Sequence, residues 1–124
     1  MNKVRHQVHI TAEWISDFAQ SIGAPLQMIK GDLIAPATMP IIFWQFFDIP
    51  WLKTDAPLIH GTQHFTYQEP ITAGMIMDCE LSLTRMDKKE VRQEWMTFYY
   101  HTLVYTCGGN LIGTADTILI RAGD

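Results

Sequence analysis

The chain has 124 residues, of which 48% are apolar and 18% charged, and a formal net charge of −4. That size suits a single domain, 1–124, with one hydrophobic core and no need of a disulfide scaffold. The acidic balance, with no basic run longer than Lys88-Lys89, argues against a nucleic-acid surface; no apolar run is long enough to span a membrane, and the opening MNKVRHQVHI lacks the apolar core of a signal peptide. A cytoplasmic protein is expected, with Cys79 and Cys107 reduced, since no Cys-x-x-Cys pair is present.

Residues 4–10, VRHQVHI, are β-prone and suit a short leading strand. Thr11 then offers an N-cap hydroxyl, with Glu13 in the first turn where the helix dipole favours an anion. The following helix places Trp14, Ile15, Phe18, Ala19 and Ile22 on one face, and Gly23 is a natural stop. Residues 24–37 are expected to be loop, punctuated by Pro25, Gly31 and Pro36. In ATMPIIFWQFF, Pro40 fits a first helical turn, and Ile41, Ile42, Phe43, Trp44, Phe46 and Phe47 are apolar all the way round, which predicts a buried helix.

After DIPWLKTDAP, strands are predicted throughout. In 58–67, Ile59, Gly61, Gln63, Phe65 and Tyr67 alternate against His60, Thr62, His64 and Thr66. QEPITAG is a turn-rich connection. In 75–86, Met75, Met77, Cys79, Leu81 and Leu83 face one way, and Ile76, Asp78, Glu80, Ser82 and Thr84 the other. DKKE is expected to turn the chain into an aromatic-rich strand over 91–105, TCGGN signals a hairpin, and LIGTADTILIR closes as the last strand. Four long antiparallel strands joined by successive connections, with one apolar helix, predict an α+β hot-dog fold: a curved antiparallel sheet wrapped around one buried apolar helix.

The order FAQSIGAPLQ, IAPATMP leading into the apolar helix, IHGTQHFTYQEPITAG, and finally CGGN with LIGTADTILIR resembles the MaoC-like dehydratases, and within them the N-terminal (FAS1-like) dehydratase domain type. The resemblance covers nearly the whole chain. It implies a hot-dog fold paired two by two, binding of acyl thioesters of coenzyme A or acyl-carrier protein, and reversible addition of water across a 2-enoyl double bond. In active members of that family the junction after the first helix carries Gly-Asp-x-Asn-Pro-x-His. There Asp and His hold and activate the water, and a backbone N–H polarises the thioester carbonyl.

That chemistry needs a base for water, an acid for the α-carbon and a donor to the thioester oxygen. The matching junction here is Gly23-Ala24-Pro25-Leu26-Gln27. Ala24 takes the aspartate position, Leu26 the asparagine position and Gln27 the proline position. The next histidine is His60, and Asp32 lies past the expected spacing. Neither alanine nor leucine transfers a proton, so the family's mechanism does not carry over at these positions.

Other candidates are weighed against plainer roles. His60 and His64 are expected on one strand face with Thr62, roughly 13 Å apart and too far to grip one metal ion, so no metal is expected. His60 is a candidate base in a rebuilt site, or a sheet-face histidine bonded to its neighbours. Asp78 and Glu80 suit the solvated face of a half-buried strand. Asp116, between Thr114 and Ile118, is the second catalytic candidate. His101, sharing a face with Tyr99, fits a core or interface histidine better than a catalyst. Trp95, Phe98, Tyr99, Tyr100 and Tyr105 suit core and dimer interface, or a pocket for a bulky acyl group. Cys107, beside Gly108, has nothing near it in sequence to activate a thiol. The binding candidate is the stretch Ala35, Pro36, Ala37 and Thr38 at the start of the apolar helix, where free backbone N–H groups suit a thioester oxygen, together with His60 and Gly61.

The leading expectation is therefore an acyl-thioester-binding enoyl hydratase or dehydratase subunit, non-catalytic or weakly catalytic, that forms a homodimer or a heterodimer with a catalytic MaoC-like subunit. No cofactor is expected beyond the coenzyme A or acyl carrier that bears the substrate. The alternative is an independent hot-dog hydratase or thioesterase using His60 or Asp116. A third is a pure interaction module whose pocket is filled by its own aromatic side chains.

Overall fold

A computed structural model describes residues 2–52 and 57–123. Its strands are β1 (Lys3–His9), β2 (Gln27–Ile29), β3 (Asp32–Ile34), β4 (Leu58–Tyr67), β5 (Ile76–Val91), β6 (Glu94–Cys107) and β7 (Asn110–Ala122). Helix α1 spans Ala12–Ser21, and 3-10 helices cover Met39–Phe46 and Pro50–Leu52. The main sheet has five strands in the order β1-β5-β6-β7-β4, every pair antiparallel. Successive connections would have placed β4 beside β5. Instead β4 forms the far edge against β7, and the 68–75 connection crosses back to β5.

One face of this curved sheet is apolar and holds the core. Met77, Cys79 and Leu81 of β5, Leu103 and Tyr105 of β6, and Ala115 of β7 meet Ile15 of α1 and Met39 and Phe43 of the 3-10 helix. The period-2 pattern expected over 75–86 is realised as far as Leu83, with Met77, Cys79 and Leu81 buried and Ile76 and Asp78 exposed, and a bulge between Leu83 and Arg85 then interrupts it. The outer face carries Arg5, Glu80, Thr102 and Asp116, joined by local bonds such as Arg5 Nε to Glu80 Oε2 at 2.6 Å and Thr102 Oγ1 to Asp116 Oδ1 at 2.8 Å.

Helix α1 begins as its sequence dictates, with Thr11 Oγ1 accepting from the Trp14 N–H at 3.1 Å. It ends at Gly23, whose φ of 70° lets its N–H reach the Gln20 carbonyl at 3.2 Å and the Ala24 N–H reach the Ala19 carbonyl at 2.9 Å. The glycine that looked like a relic of a catalytic motif is thus accounted for by helix termination.

The expected loop 24–37 contains a small hairpin, with β2 paired to β3 across Lys30-Gly31. Both turn residues have positive φ, 52° and 84°, the geometry that matches the twist of a two-residue hairpin. The β5–β6 corner also differs from expectation. DKKE remains strand, and the turn falls at Arg92-Gln93, both with positive φ. Long cationic side chains lie flat over aromatic neighbours on this hairpin: Arg85 is 4.0 Å from the Tyr100 ring centre and Lys89 is 5.1 Å from that of Phe98. The predicted Gly108-Gly109 hairpin is present, with both φ values positive.

The apolar run 39–46 is a 3-10 helix rather than an α-helix, and only one side of it is buried. Met39, Pro40 and Phe43 are buried, whereas Ile41 and Phe46 are 38% and 41% exposed. Its all-round apolarity reflects several separate contacts. Phe43 packs against Trp14 and Tyr105, Phe46 stacks on His6, and Trp44 meets His101 edge-on at 5.0 Å.

Gly113 on β7 is required by close approach. A Cβ there would lie 2.6 Å from the Thr66 carbonyl oxygen and 2.9 Å from the Tyr105 ring. The Thr66 carbonyl belongs to the β4–β7 ladder and cannot swing aside. Gly113→Ala is therefore expected to cost about 1–3 kcal/mol in chemical denaturation. Adding Tyr105→Phe should not restore the loss, because the backbone clash remains.

Candidate functional site

The feature that organises the site is a β-bulge. Along β4, His60 opposes Leu119 and Thr62 opposes Ile118, so Gly61 is the extra residue. A Cβ at Gly61 would lie 2.9 Å from Ile120 Cδ1 and 3.1 Å from the Ile118 carbonyl, which explains a residue without one. Because side chains alternate with period 2, one extra residue reverses the faces beyond it. His60 therefore joins Gln63 on the core side, while Thr62 and His64 point outward, His64 opposite Asp116. The expectation that His60, Thr62 and His64 share a face is overturned by this bulge.

On the core side, Gln63 Oε1 accepts from Thr117 Oγ1 at 2.7 Å and lies 3.1 Å from His60 Nε2. The Thr117 hydroxyl and the His60 ring nitrogen can each donate or accept, so both are matched to this carboxamide. The other end of the carboxamide, Gln63 Nε2, is buried and has no hydrogen-bond partner among the described residues. These groups border a cavity of about 180 Å³ lined by Ile41, Trp44, His60, Gln63, Thr117 and Leu119. It lies between the 3-10 helix 39–46 and the β4–β7 end of the sheet.

Beside the cavity, His101 is buried. Trp51 donates from its indole Nε1 to His101 Nε2 at 2.9 Å, and His101 Nδ1 lies 3.1 Å from the Tyr99 carbonyl oxygen. An indole N–H only donates and a carbonyl only accepts, so the ring is neutral with its proton on Nδ1. Burial outweighs the backbone bonds and pushes its pKa down to about 4. Packed by Trp44 and Trp51, His101 is a core histidine that positions the Trp51 segment.

The remaining sequence candidates fall elsewhere. Ala35 is buried with its N–H given to the Ile71 carbonyl, and the Met39 N–H goes to Pro36. Ala37 presents its carbonyl to the Tyr67 hydroxyl at 2.6 Å. Only the N–H groups of Ala37 and Thr38 in this stretch donate to no backbone carbonyl among the described residues. The stretch is thus anchored near Tyr67, roughly 20 Å along β4 from His60, and none of residues 35–38 lines the cavity that holds His60 and Gln63. Asp116 is on the opposite sheet face, accepting from Thr102, and cannot act with His60 on one substrate atom.

Cys79 is buried and unbonded, its thiol pushed up to about 12 by burial and then by Asp78, which removes it as a nucleophile. Among the described residues no group of three or more His, Cys, Asp or Glu could hold a metal ion, and no helix is long and apolar enough to cross a membrane.

Sequence reasoning missed Gln63, Thr117, Trp44 and Trp51. A signal for two of them was present: Gln63 and Thr117 are polar residues in otherwise apolar inward series, Phe65 and Tyr67 on one strand, Ala115 and Leu119 on the other.

No protein-family model matches the chain. Its architecture coincides with that of the C-terminally truncated HadBC (3R-hydroxyacyl-ACP dehydratase) complex of Mycobacterium tuberculosis, at a TM-score of 0.75 and 17% identity over 95% of this chain and 93% of that one. The ChsH1-ChsH2 complex of the same organism gives a TM-score of 0.72 at 12% identity, covering 95% and 82%. A MaoC-like dehydratase from Rhodospirillum rubrum gives 0.67 at 11% identity, covering 98% and 91%. The chain therefore has the hot-dog fold, in the form found in MaoC-like dehydratases. In sequence it is similar to a UPF0336 protein of Thermobifida fusca, 29% identical over 131 residues that cover 93% of this chain and 84% of that protein.

Proposed function

We propose that the chain is an acyl-thioester-binding subunit of the MaoC-like hydratase or dehydratase type, which shapes a substrate cavity while a partner hot-dog subunit supplies the acid and base. The observation that carries this reading is the junction after α1. Where the reaction needs a carboxylate the chain places Ala24, and where it needs an imidazole no histidine follows before His60, the chain running directly into the β2–β3 hairpin. The two alternative catalysts, His60 and Asp116, sit on opposite faces of the sheet and cannot replace that pair together.

Two further observations support a partner. The HadBC and ChsH1-ChsH2 structures are both of complexes. In this chain β4 is an edge strand and Ile59 on it is exposed, a surface that a second chain would cover. The ligand is an acyl group on coenzyme A or an acyl carrier, and the subunit needs no further cofactor.

The test is hydration of crotonyl-CoA and of a longer enoyl-CoA by the purified chain, followed as loss of enoyl absorbance, with a parallel melting curve. No turnover is expected from the chain alone, together with a rise in melting temperature when acyl-CoA is added. Turnover abolished by His60→Ala or Asp116→Ala would replace this reading with that of an independent enzyme. A melting temperature indifferent to acyl-CoA, with and without a catalytic partner, would exclude acyl-thioester binding.

A further inference from the structure

We infer that Trp44 sets the length of the acyl chain: its indole is the floor of the cavity at the β4–β7 end of the sheet, which takes an acyl group of about four carbons and turns longer ones away. The inference rests on the acyl-thioester reading above and adds to it a chain length and the residue that imposes it.

The cavity has an open side and a closed side. On the sheet it is lined by His60 and Gln63 of β4 and by Thr117 and Leu119 of β7, and on the 3-10 helix by Ile41 and Trp44. Strand β4 is the sheet edge, His60 on it is exposed, and Ile41 is 38% exposed. These residues form the mouth. The next strand inward from β7 is β6, where His101 stands opposite Thr117 in the ladder. Among the described residues no β6 side chain lines the cavity. The Trp44 ring stands in the way, meeting His101 edge-on with ring centres 5.0 Å apart. The cavity thus runs from the β4 edge across β7 and stops at Trp44.

That floor cannot retreat. His101, against which Trp44 rests, is 2% exposed and is held at both ring nitrogens, by the Trp51 indole N–H at 2.9 Å and by the Tyr99 carbonyl oxygen at 3.1 Å. Ile41 and Trp44 are three residues apart, one full turn of a 3-10 helix, so they lie one above the other on the same side, roughly 6 Å apart along the axis. The helix wall therefore leads from the exposed isoleucine to the indole. The volume is about 180 Å³. At about 30 Å³ per water-sized heavy atom it holds roughly six such atoms, which matches about four acyl carbons with the carbonyl oxygen and the sulfur. Ile41, Leu119 and Trp44 give the hydrocarbon an apolar lining, and His60 and Gln63 give the thioester end a polar one.

The experiment measures affinity by calorimetry on the intact chain with two ladders of probes: acetyl-, butyryl-, hexanoyl- and octanoyl-CoA, and the free amides butyramide, hexanamide and octanamide. For the native chain, affinity is expected to rise about fourfold for each added methylene as far as butyryl and then to stop rising. Trp44→Leu should carry the rise on to hexanoyl, because the cavity then extends to His101. Leu119→Phe, which fills the same space from the sheet side, should shift the optimum down towards acetyl. It keeps the test open should Trp44→Leu fail to fold. Phe46→Leu, on the same helix but outside the cavity lining, loosens the helix without deepening the cavity and should leave the optimum at butyryl.

Binding of the coenzyme A esters with an affinity that climbs through octanoyl in the native chain, or with the same optimum in native, Trp44→Leu and Leu119→Phe proteins, would overturn the inference and leave the thioester reading intact. A shift in Phe46→Leu equal to that in Trp44→Leu would also overturn it, assigning the effect to the helix as a whole. A length limit seen with the amides and moved by Trp44→Leu, without binding of any coenzyme A ester, would uphold the cavity floor while removing the thioester reading. Binding of neither ladder would overturn both.

Discussion

The folded chain is expected to lose about 3 kcal/mol of stability as the pH falls from 6.5 to 4, through His101 alone. The unfolded histidine takes up its proton near its ordinary value of 6.5, whereas the folded one resists until about 4. Between those values the unfolded state binds more protons, so stability is complete above pH 6.5 and drains away as the pH drops towards 4. The physical source is burial of the ring, which outweighs its bonds to backbone carbonyls. Nε2 is occupied by the Trp51 indole N–H, which can only donate, so a second proton has to break that contact inside the core. Urea midpoints at pH 7 and pH 4.5 measure the effect. His101→Gln keeps an acceptor for Trp51 and does not titrate, and it should lower stability at pH 7 while flattening the slope across this window. The same slope in both proteins would assign the pH dependence to other groups.

Phe43→Ala should cost about 3–5 kcal/mol, the largest effect of any single substitution considered. Phe43 is fully buried, and its ring lies 5.6 Å from that of Trp14 and 6.0 Å, edge-on, from that of Tyr105. It therefore joins α1, the 3-10 helix and the sheet at one point, and its removal opens a cavity bounded by three elements that cannot all move inward. Ile41→Ala, two residues earlier on the same helix, should cost about 1 kcal/mol or less, because Ile41 is 38% exposed. The contrast is a measurement of which side of the helix carries the fold. Comparable losses at both positions would mean that the helix is buried all round.

Much of the architecture was legible in the sequence because β5, β6 and β7 have one wet face and one dry one, so alternation is enforced and visible. The Gly-Gly hairpin was legible for a different reason, since few residue pairs accept positive φ in succession. The β2–β3 hairpin was not, because all three residues of β2 are exposed and solvent on both faces imposes no pattern. The helix 39–46 was found but mistyped: a run apolar on every side satisfies a period of 3.0 as well as one of 3.6. The site was harder still. His60 was picked out for its chemistry but assigned to the wrong face, since a glycine fits either series of an alternating strand and so conceals a bulge. Gln63 lay in the inward series beside Phe65 and Tyr67, where a polar residue is the anomaly. His101 stands in the inward series between Tyr99 and Leu103 in the same way, and its role in the core follows from that position.

The extra residue at Gly61 also bears on how this strand tolerates change in length. It works as a phase shifter: residues 58–60 and residues 62–67 obey the same two-step rhythm but are out of step with each other. Deleting Gly61 would join them into a single uninterrupted rhythm in which Leu58 and His60 stay inward, Ile59 stays outward and Gln63 is untouched. An alignment of this chain with any relative that lacks the bulge therefore pairs His60 with a residue that serves the opposite side of the sheet, and functional comparison at that column requires a gap opposite Gly61.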